Sequence, residues 1–348
     1  MSNVKKYHVA IVGATGAVGQ KILQYLEEKP FEIEQLTLLS SKRSAGKVVS
    51  FAGKDITVQE ATAERFENVD IAFFSAGGSI SEKLAPEAVK HGAIVIDNTS
   101  AYRMDENVPL VVPEVNEGDL QDHKGIIANP NCSTIQMVVA LKPIQEAFGL
   151  DRVIVSTYQA VSGAGLAAQE ELTSQTKQFL NDEEMEANIL PAGSDKKHYP
   201  IAFNALPQID VFADNGFTKE ELKMINETKK IMHEPALHVA ATCVRLPVFH
   251  SHAESVFVEI GQKDVSVDAF KETISQGKGI VLEDDPSTQT YPTPLSAQEK
   301  KDVFVGRIRK DLDLDNGFHL WVVSDNLVKG AAWNTVQIAA ALVKNKLV

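Results

Sequence analysis

Only two cysteines, Cys132 and Cys243, occur in 348 residues. A disulfide framework is therefore excluded, and no CxxC or His/Cys cluster offers ligands for structural zinc. No block rich in Lys and Arg is present, and 34 basic against 47 acidic side chains leave a net charge of −13. That balance argues against a nucleic-acid binder, whose affinity rests on neutralising phosphates. Long apolar runs are missing as well. None approaches the roughly 18–20 residues that span a bilayer. The leading segment MSNVKKYHVAIVG ends its apolar run at Gly13, too early for a signal-peptide core. A cytoplasmic, reducing setting without membrane contact is expected. Glycine (21) and proline (14) are near average, which excludes collagen-like and low-complexity chains. What remains is an ordinary globular composition at a length that suggests two domains.

Residues 7–12 (YHVAIV) form an apolar run closed by glycine, the pattern of a buried parallel strand. A glycine-rich turn follows, then a helical pattern over 20–29 with Ile22, Leu23 and Leu26 on one face and Pro30 as its stop. Further strands are expected at 36–39, 69–75, 93–97 and 125–128, with a helix near 81–91. This alternation predicts a Rossmann-like, doubly wound parallel sheet over residues 1–130. An Ala-rich helix over about 328–348 is expected to complete it. After Pro130 the pattern changes. A helix over 133–148 precedes longer strands at 152–161, 239–248, 254–261, 302–309 and 318–324, several with period-two alternation. Polar helices at about 166–181 and 218–233 interrupt them. Residues 131–327 thus read as an α+β domain whose mixed or antiparallel sheet has one exposed face.

Gly13, Gly16 and Gly19 between a strand and a helix would let backbone N–H groups face a pyrophosphate. The spacing is GxxGxxG rather than the commoner GxGxxG, so its strand–turn–helix context carries the argument. An acidic residue is missing at the end of the second strand, where NAD-binding folds hold the ribose hydroxyls. The sequence there reads Ser40-Ser41-Lys42-Arg43-Ser44. Such a cationic, hydroxyl-rich loop suits the 2′-phosphate of NADP; the bland alternative is a solvated loop. Asn129-Pro130-Asn131-Cys132-Ser133-Thr134 turns the chain and starts a helix near Ser133. A thiol at a helix N-terminus is acidified, and the free N–H groups could hold an oxyanion. Cys243 reads as a core strand residue. Arg245, inside an apolar strand, needs an anionic partner, either a structural carboxylate or a substrate's. In an extended strand His250 and His252 would share one side, but Pro247 implies an edge or a break in the strand before them. Glu220 and Lys223 read by themselves as a surface i,i+3 pair. Arg103 follows the strand at 93–97 at the ligand-binding end of the first sheet.

Taken in order, GATGAVG, SAYRM, NPNCST, YQAVSGAG (158–165), CVRLPVFHSH and SDNLVKGAAWN (324–334) resemble the aspartate-semialdehyde dehydrogenase family, of the type common in Gram-positive bacteria. The resemblance covers nearly the whole chain. It implies a homodimer whose second domain is catalytic and dimerising. The implied reaction is reversible NADPH-dependent reduction of 4-phospho-aspartate to aspartate 4-semialdehyde with release of phosphate, toward lysine (through diaminopimelate), methionine, threonine and isoleucine. By the same resemblance Cys132 is the nucleophile, His252 the general acid/base, and Gln159 orients the substrate. Arg245 binds the α-carboxylate, Glu220 meets the amino group, and Arg103 and Lys223 hold the phosphate, with Asn131 beside them. Gly13, Thr15, Gly16, Ala17, Val18, Ser40, Arg43, Ser44, Ser162, Gly163 and Asn326 are the implied NADP contacts. No metal is required. Rival readings are another acyl-phosphate reductase, such as N-acetyl-glutamyl-phosphate reductase, and a catalytically silent paralogue.

Overall fold

The structure is a computed structural model that describes residues 5–348. Residues 1–4, part of the segment weighed as a signal peptide, lie outside the described residues. The chain divides into two units: one runs up to Asn131 and takes in Ala331–Val348, and the other is Cys132–Gly330.

The first unit opens with β1 (Tyr7–Val12), α1 (Ala17–Leu26) and β2 (Ile33–Ser40). A hairpin of β3 (Val48–Phe51) and β4 (Lys54–Thr57) follows, then β5 (Gln59–Glu60), β6 (Ile71–Phe74) and α2 (Gly78–Lys90). β7 (Ile94–Asp97), α3 (Pro113–Asn116) and β8 (Ile126–Ala128) complete this stretch. The sheet order is β5-β2-β1-β6-β7-β8, and every pairing in it is parallel. β6 and β7 are buried along their whole length, which explains the apolar runs IAFF and IVI, the second closed by the buried Asp97. Strand order reverses between β1 and β6, the position where doubly wound sheets open a ligand crevice beyond the strand ends.

The second unit comprises α4 (Cys132–Phe148), β9 (Arg152–Gln159), α5 (Leu166–Leu180), α6 (Lys219–Ile231), β10 (His238–Arg245) and β11 (His252–Glu259). It continues with α7 (Val267–Ser275), β12 (Ile280–Leu282), α8 (Pro294–Ala297), β13 (Val303–Lys310) and β14 (Gly317–Ser324). Its sheet order is β10-β9-β11-β14-β13-β12. The pairs β10–β9 and β12–β13 are parallel and the others antiparallel, so the sheet is mixed. α4, α6 and α7 pack against it, and β9 alternates buried and open positions accordingly. A π-helical turn, Val328–Ala332, leads into α9 (Trp333–Lys344). α9 packs on α1 within the first unit, its Trp333 ring lying 5.4 Å from that of Tyr25. Among the described residues no helix is long and apolar enough to cross a membrane.

Two local expectations need correction. The strand foreseen at 239–248 stops at Arg245, because Pro247 cannot donate to a ladder. Ser251 then takes a positive φ of 70°. This reverses the chain before β11, so His250 and His252 do not share one extended strand.

Candidate active site

In the first unit, Gly13 turns the chain out of β1 with φ of 94°, and a Cβ there would lie 2.8 Å from Ser75 Oγ. A side chain on Gly19 would run into the Gly13 carbonyl. The turn therefore packs against the end of β6 only as glycine. Gly16 caps α1 without a side-chain bond, and Thr15, Ala17 and Val18 line the half-open start of the helix. Its first amides are thus free of side-chain competition for a phosphate. Thr15 Oγ1 and Ser40 Oγ lie 3.0 Å apart and tie the turn to the end of β2. Beyond Ser40, Arg43 is exposed and Ser44 buried. This donor set fits the pyrophosphate and 2′-phosphate of NADP, with no carboxylate at the ribose position of β2 to oppose it. Arg43→Ala should raise KM for NADPH about 10- to 150-fold, the equivalent of roughly 1.5–3 kcal/mol. NADH activity, measured in parallel, should hardly change. Equal losses with both cofactors would make Arg43 structural. Ser75, directly after β6, also stands beside this turn, and its position in the sequence did not reveal it.

Arg103, also in this unit, is buried and donates to two backbone carbonyls, Asn129 O and Asn98 O, each at 2.9 Å. Asn334 of α9 holds the same turn, giving 2.8 Å from Nδ2 to Asn129 Oδ1. Asn131 is buried at the end of that turn.

In the second unit the sheet register sets the next group. Gln159 and Arg245 are paired at the ends of β9 and β10, and His252 opens β11. Cys132 is the first residue of α4, one position earlier than the sequence pattern suggested. Its Sγ lies 3.3 Å from His252 Nε2. His252 is wholly buried, and its Nδ1 accepts the Ala160 N–H at 3.0 Å. Burial, aided by the Arg245 charge, holds its imidazole at a pKa of about 3. Gln159 Nε2 donates to Ser133 Oγ (2.7 Å) and Glu220 Oε1 (3.1 Å), and Ser133 Oγ donates to the same Glu220 oxygen at 3.1 Å. Ser133, inside the NPNCST motif, thus joins α4, β9 and α6, a link that its sequence position did not reveal. Arg245 is buried; its Nη1 donates to Ala160 O at 2.7 Å, while Nε has no partner among the described residues. A buried, orphaned guanidinium donor beside a cysteine suits an anionic ligand.

Glu220 and Lys223 do form an i,i+3 ion pair (3.3 Å), but Glu220 is buried, which corrects the surface reading. Lys223 also reaches Asp210 Oδ2 at 3.0 Å. Ser162 Oγ and Asn326 bond through both the amide oxygen (3.2 Å) and nitrogen (3.0 Å) of Asn326. A Cβ on Gly163 would lie 3.0 Å from Arg245 Nη1 and 3.4 Å from His252 Nε2, so glycine keeps the space above both open. Gly330 is equally constrained, since a Cβ there would approach Cys132 Cβ to 2.7 Å. Gly330→Ala should displace the thiol and lower kcat by up to roughly 10²-fold, with unchanged circular dichroism. Cys243 is fully buried, and that burial pushes its thiol pKa up.

Residues 8–123 match the family model described as the NAD binding domain of semialdehyde dehydrogenase, and residues 141–329 match its dimerisation domain. The chain is 68% identical over 341 residues to the aspartate-semialdehyde dehydrogenase of Bacillus subtilis (strain 168), covering 98% of this chain and 99% of the relative. It is similar to the crystal structure of aspartate semialdehyde dehydrogenase II from Vibrio cholerae, with TM-score 0.92, 48% identity and coverage of 98% and 99%. That protein has also been solved complexed with ASA. The aspartate semialdehyde dehydrogenase of Candida albicans, solved with NADP, gives a TM-score of 0.75 at 26% identity, covering 99% of this chain and 100% of its own.

Proposed function

The chain belongs to the aspartate-semialdehyde dehydrogenase family, and on that premise we propose that Cys132 and His252 form the reacting pair of its active site. The enzyme reduces 4-phospho-L-aspartate to L-aspartate 4-semialdehyde reversibly with NADPH, releasing phosphate, a step of amino-acid biosynthesis. The observation that carries the residue assignment is the 3.3 Å approach of Sγ to Nε2 at a helix N-terminus.

The Cys132 thiolate attacks the acyl carbon, and the bond from carbon to the phosphate oxygen breaks to leave a thioester. NADPH, when bound, would supply the hydride that reduces it; Gly13, Thr15–Val18, Arg43 and Ser44 would hold it in the first unit, and Ser162, Gly163 and Asn326 are the contacts proposed in the second. The resulting thiohemiacetal on Cys132 collapses to the aldehyde and returns the thiolate. The first amides of α4 face the oxyanion of both tetrahedral species. Arg245 holds the α-carboxylate through its unpartnered Nε–H. Glu220, kept in place by Ser133 and Gln159, meets the ammonium group. Arg103, Asn131 and Lys223 receive the phosphate; Lys223 does so by exchanging part of its pairing with Asp210.

The enzyme works as a cytoplasmic homodimer without nucleic-acid partners. Support for its interface is the open face of the mixed sheet, where Ile154 is 43% exposed and the Tyr158 and Trp321 rings meet at 5.4 Å.

The decisive assay follows cofactor reduction with aspartate semialdehyde, phosphate and each nicotinamide cofactor. NADPH formation should require both semialdehyde and phosphate. N-acetyl-glutamate semialdehyde should be a poor substrate, since its acylated amine leaves the Glu220 carboxylate without an ammonium. Turnover with the acetylated compound equal to that with aspartate semialdehyde would favour the N-acetyl-glutamyl-phosphate reductase reading.

A further inference from the structure

We propose that Glu254 is a positioning residue of the active site: as a neutral acid it pairs with Gln136, and the pair holds the first turns of α4 against the start of β11 and so sets where the Cys132 sulfur stands. This rests on the reading that Cys132 is the nucleophile.

The reaction leaves Glu254 unused, yet the residue lies one rung inside the site. Positions i and i+2 of a strand share a face, so Glu254 follows His252 on the inner side of β11. It pairs in register with Thr157 of β9 and Val322 of β14, and Thr157 pairs in turn with Cys243 of β10. Positions i and i+4 of a helix share a face as well, so Gln136 follows Cys132 along α4. Gln136 faces the Glu254 carboxyl, and its Nε2 donates to His252 O at 3.3 Å. The Gln136–Glu254 pair therefore underlies the Cys132–His252 pair, whose Sγ and Nε2 are 3.3 Å apart.

Both residues are fully buried. Among the described residues neither oxygen of Glu254 has a hydrogen-bond partner, and neither does Oε1 of Gln136. An ionised carboxylate would leave these acceptors facing one another out of water, each at the full cost of its desolvation. One proton on Glu254 resolves all of them. The acid O–H donates to Gln136 Oε1, the second Nε2–H of Gln136 donates to the acid carbonyl, and the first keeps His252 O. The surroundings favour that proton. Burial pushes the carboxyl well above the usual carboxylate range, the Glu220 charge from α6 adds to it, and the Gln136 amide offsets only part. The Cys243 thiol, the titratable group facing it from β10, is itself driven to the neutral form by burial. With the acid in place the Gln136 amide cannot turn away from His252 O. Without it that amide is free to rotate, and the tie between α4 and β11 is lost.

Infrared difference spectra of the full-length enzyme at neutral pH, wild type against Glu254→Gln, test the protonation state. A protonated-carboxyl C=O band that the variant lacks is expected. Its absence would mean an ionised Glu254 and would overturn the proposal. Kinetics test the positioning role. Glu254→Gln can still donate an N–H to Gln136 Oε1, so kcat should stay within a few-fold of wild type. Methionine is close in length to both side chains and makes no such hydrogen bond. Glu254→Met and Gln136→Met should each lower kcat about 10²-fold, the cost of a small misplacement of a reacting group, with KM for NADPH hardly changed. The double variant should lose no more than either single one, because the two residues act as a unit. Methionine variants with wild-type kcat, or a Glu254→Gln enzyme as impaired as Glu254→Met, would overturn the role. Thermal melts establish that each variant folds; where a methionine variant does not, the infrared band and the kcat of Glu254→Gln decide. The nucleophile reading is checked separately by alkylating Cys132. Turnover that survives alkylation would remove that reading, while the infrared band still reports the pair.

Discussion

Cys132→Ser is expected to lower kcat by at least ~10³-fold, with the fold intact by circular dichroism. A serine hydroxyl is not ionised at neutral pH and makes a poorer leaving group when the thiohemiacetal collapses. The position supplies what a thiolate needs and an alcohol cannot exploit. Cys132 is the first residue of α4, so the positive end of the helix dipole and the unsatisfied amides of the first turn favour negative charge there. Nε2 of His252 lies 3.3 Å from the sulfur. Gly330 leaves room beside the Cys132 Cβ that any side chain there would take, since a Cβ on it would approach to 2.7 Å. Cys243 has none of these features. It is fully buried in β10 beside Glu220, Glu221 and Glu254, and burial drives its thiol toward the neutral form. Cys243→Ser should therefore keep most activity, any loss appearing as stability, since the more polar hydroxyl must be desolvated at a fully buried position. Steady-state assays and thermal melts of the two variants separate these outcomes. A Cys132→Ser enzyme with near wild-type turnover would end the thioester mechanism.

Much of the fold was legible because its strands are buried on both faces. YHVAIV, IAFF and IVID carry enough apolar residues to stand out from the helices between them. The β3–β4 hairpin did not stand out, because VVSF and KDIT are short, mostly exposed and joined through Ala52-Gly53. β12 (IVL) and the nine-residue α7 were missed for the same reason of length. At the site, the chemistry-bearing side chains announce themselves through their motifs. The groups that position them are harder to see. Ala160 acts through its backbone alone, Ser251 through a positive φ, and Ser133 through a hydroxyl that bridges residues remote in sequence. Those roles come from the chain path, which no residue type specifies by itself. Glu220 is instructive in the same way. Spacing marks it as half of a surface pair, and the packing of α6 against β10 and α4 takes it out of solvent.

His252→Asn is expected to lower kcat by roughly 10²–10⁴-fold, whereas His250→Asn stays within a few-fold of wild type. Alternation along a strand does not separate these two residues, and the chain path does. β10 ends at Arg245, and the following residues leave the sheet. Ser251, with φ of 70° and its amide on Asn326, returns the chain into β11 with His252 as its first residue. His252 pairs in register with Ser324, is fully buried and meets Cys132. His250 stays half-buried in the connecting loop, one residue after the exposed Phe249. Asparagine at 252 can still receive the Ala160 amide but cannot extend a donor to the sulfur. The loss should therefore fall on kcat, with a smaller change in KM for the semialdehyde. His252 also leaves a signature in stability. Its native pKa of about 3 lies below the ordinary histidine value, so between these limits the unfolded chain binds the extra proton. Its contribution is complete above the unfolded pKa and is lost as pH falls toward 3. Denaturation midpoints of wild type should thus drop more steeply between neutral pH and pH ~5 than those of His252→Asn, which has no such group to titrate. Parallel midpoints in the two proteins, or His250→Asn as the severe kinetic variant, would place the working histidine elsewhere.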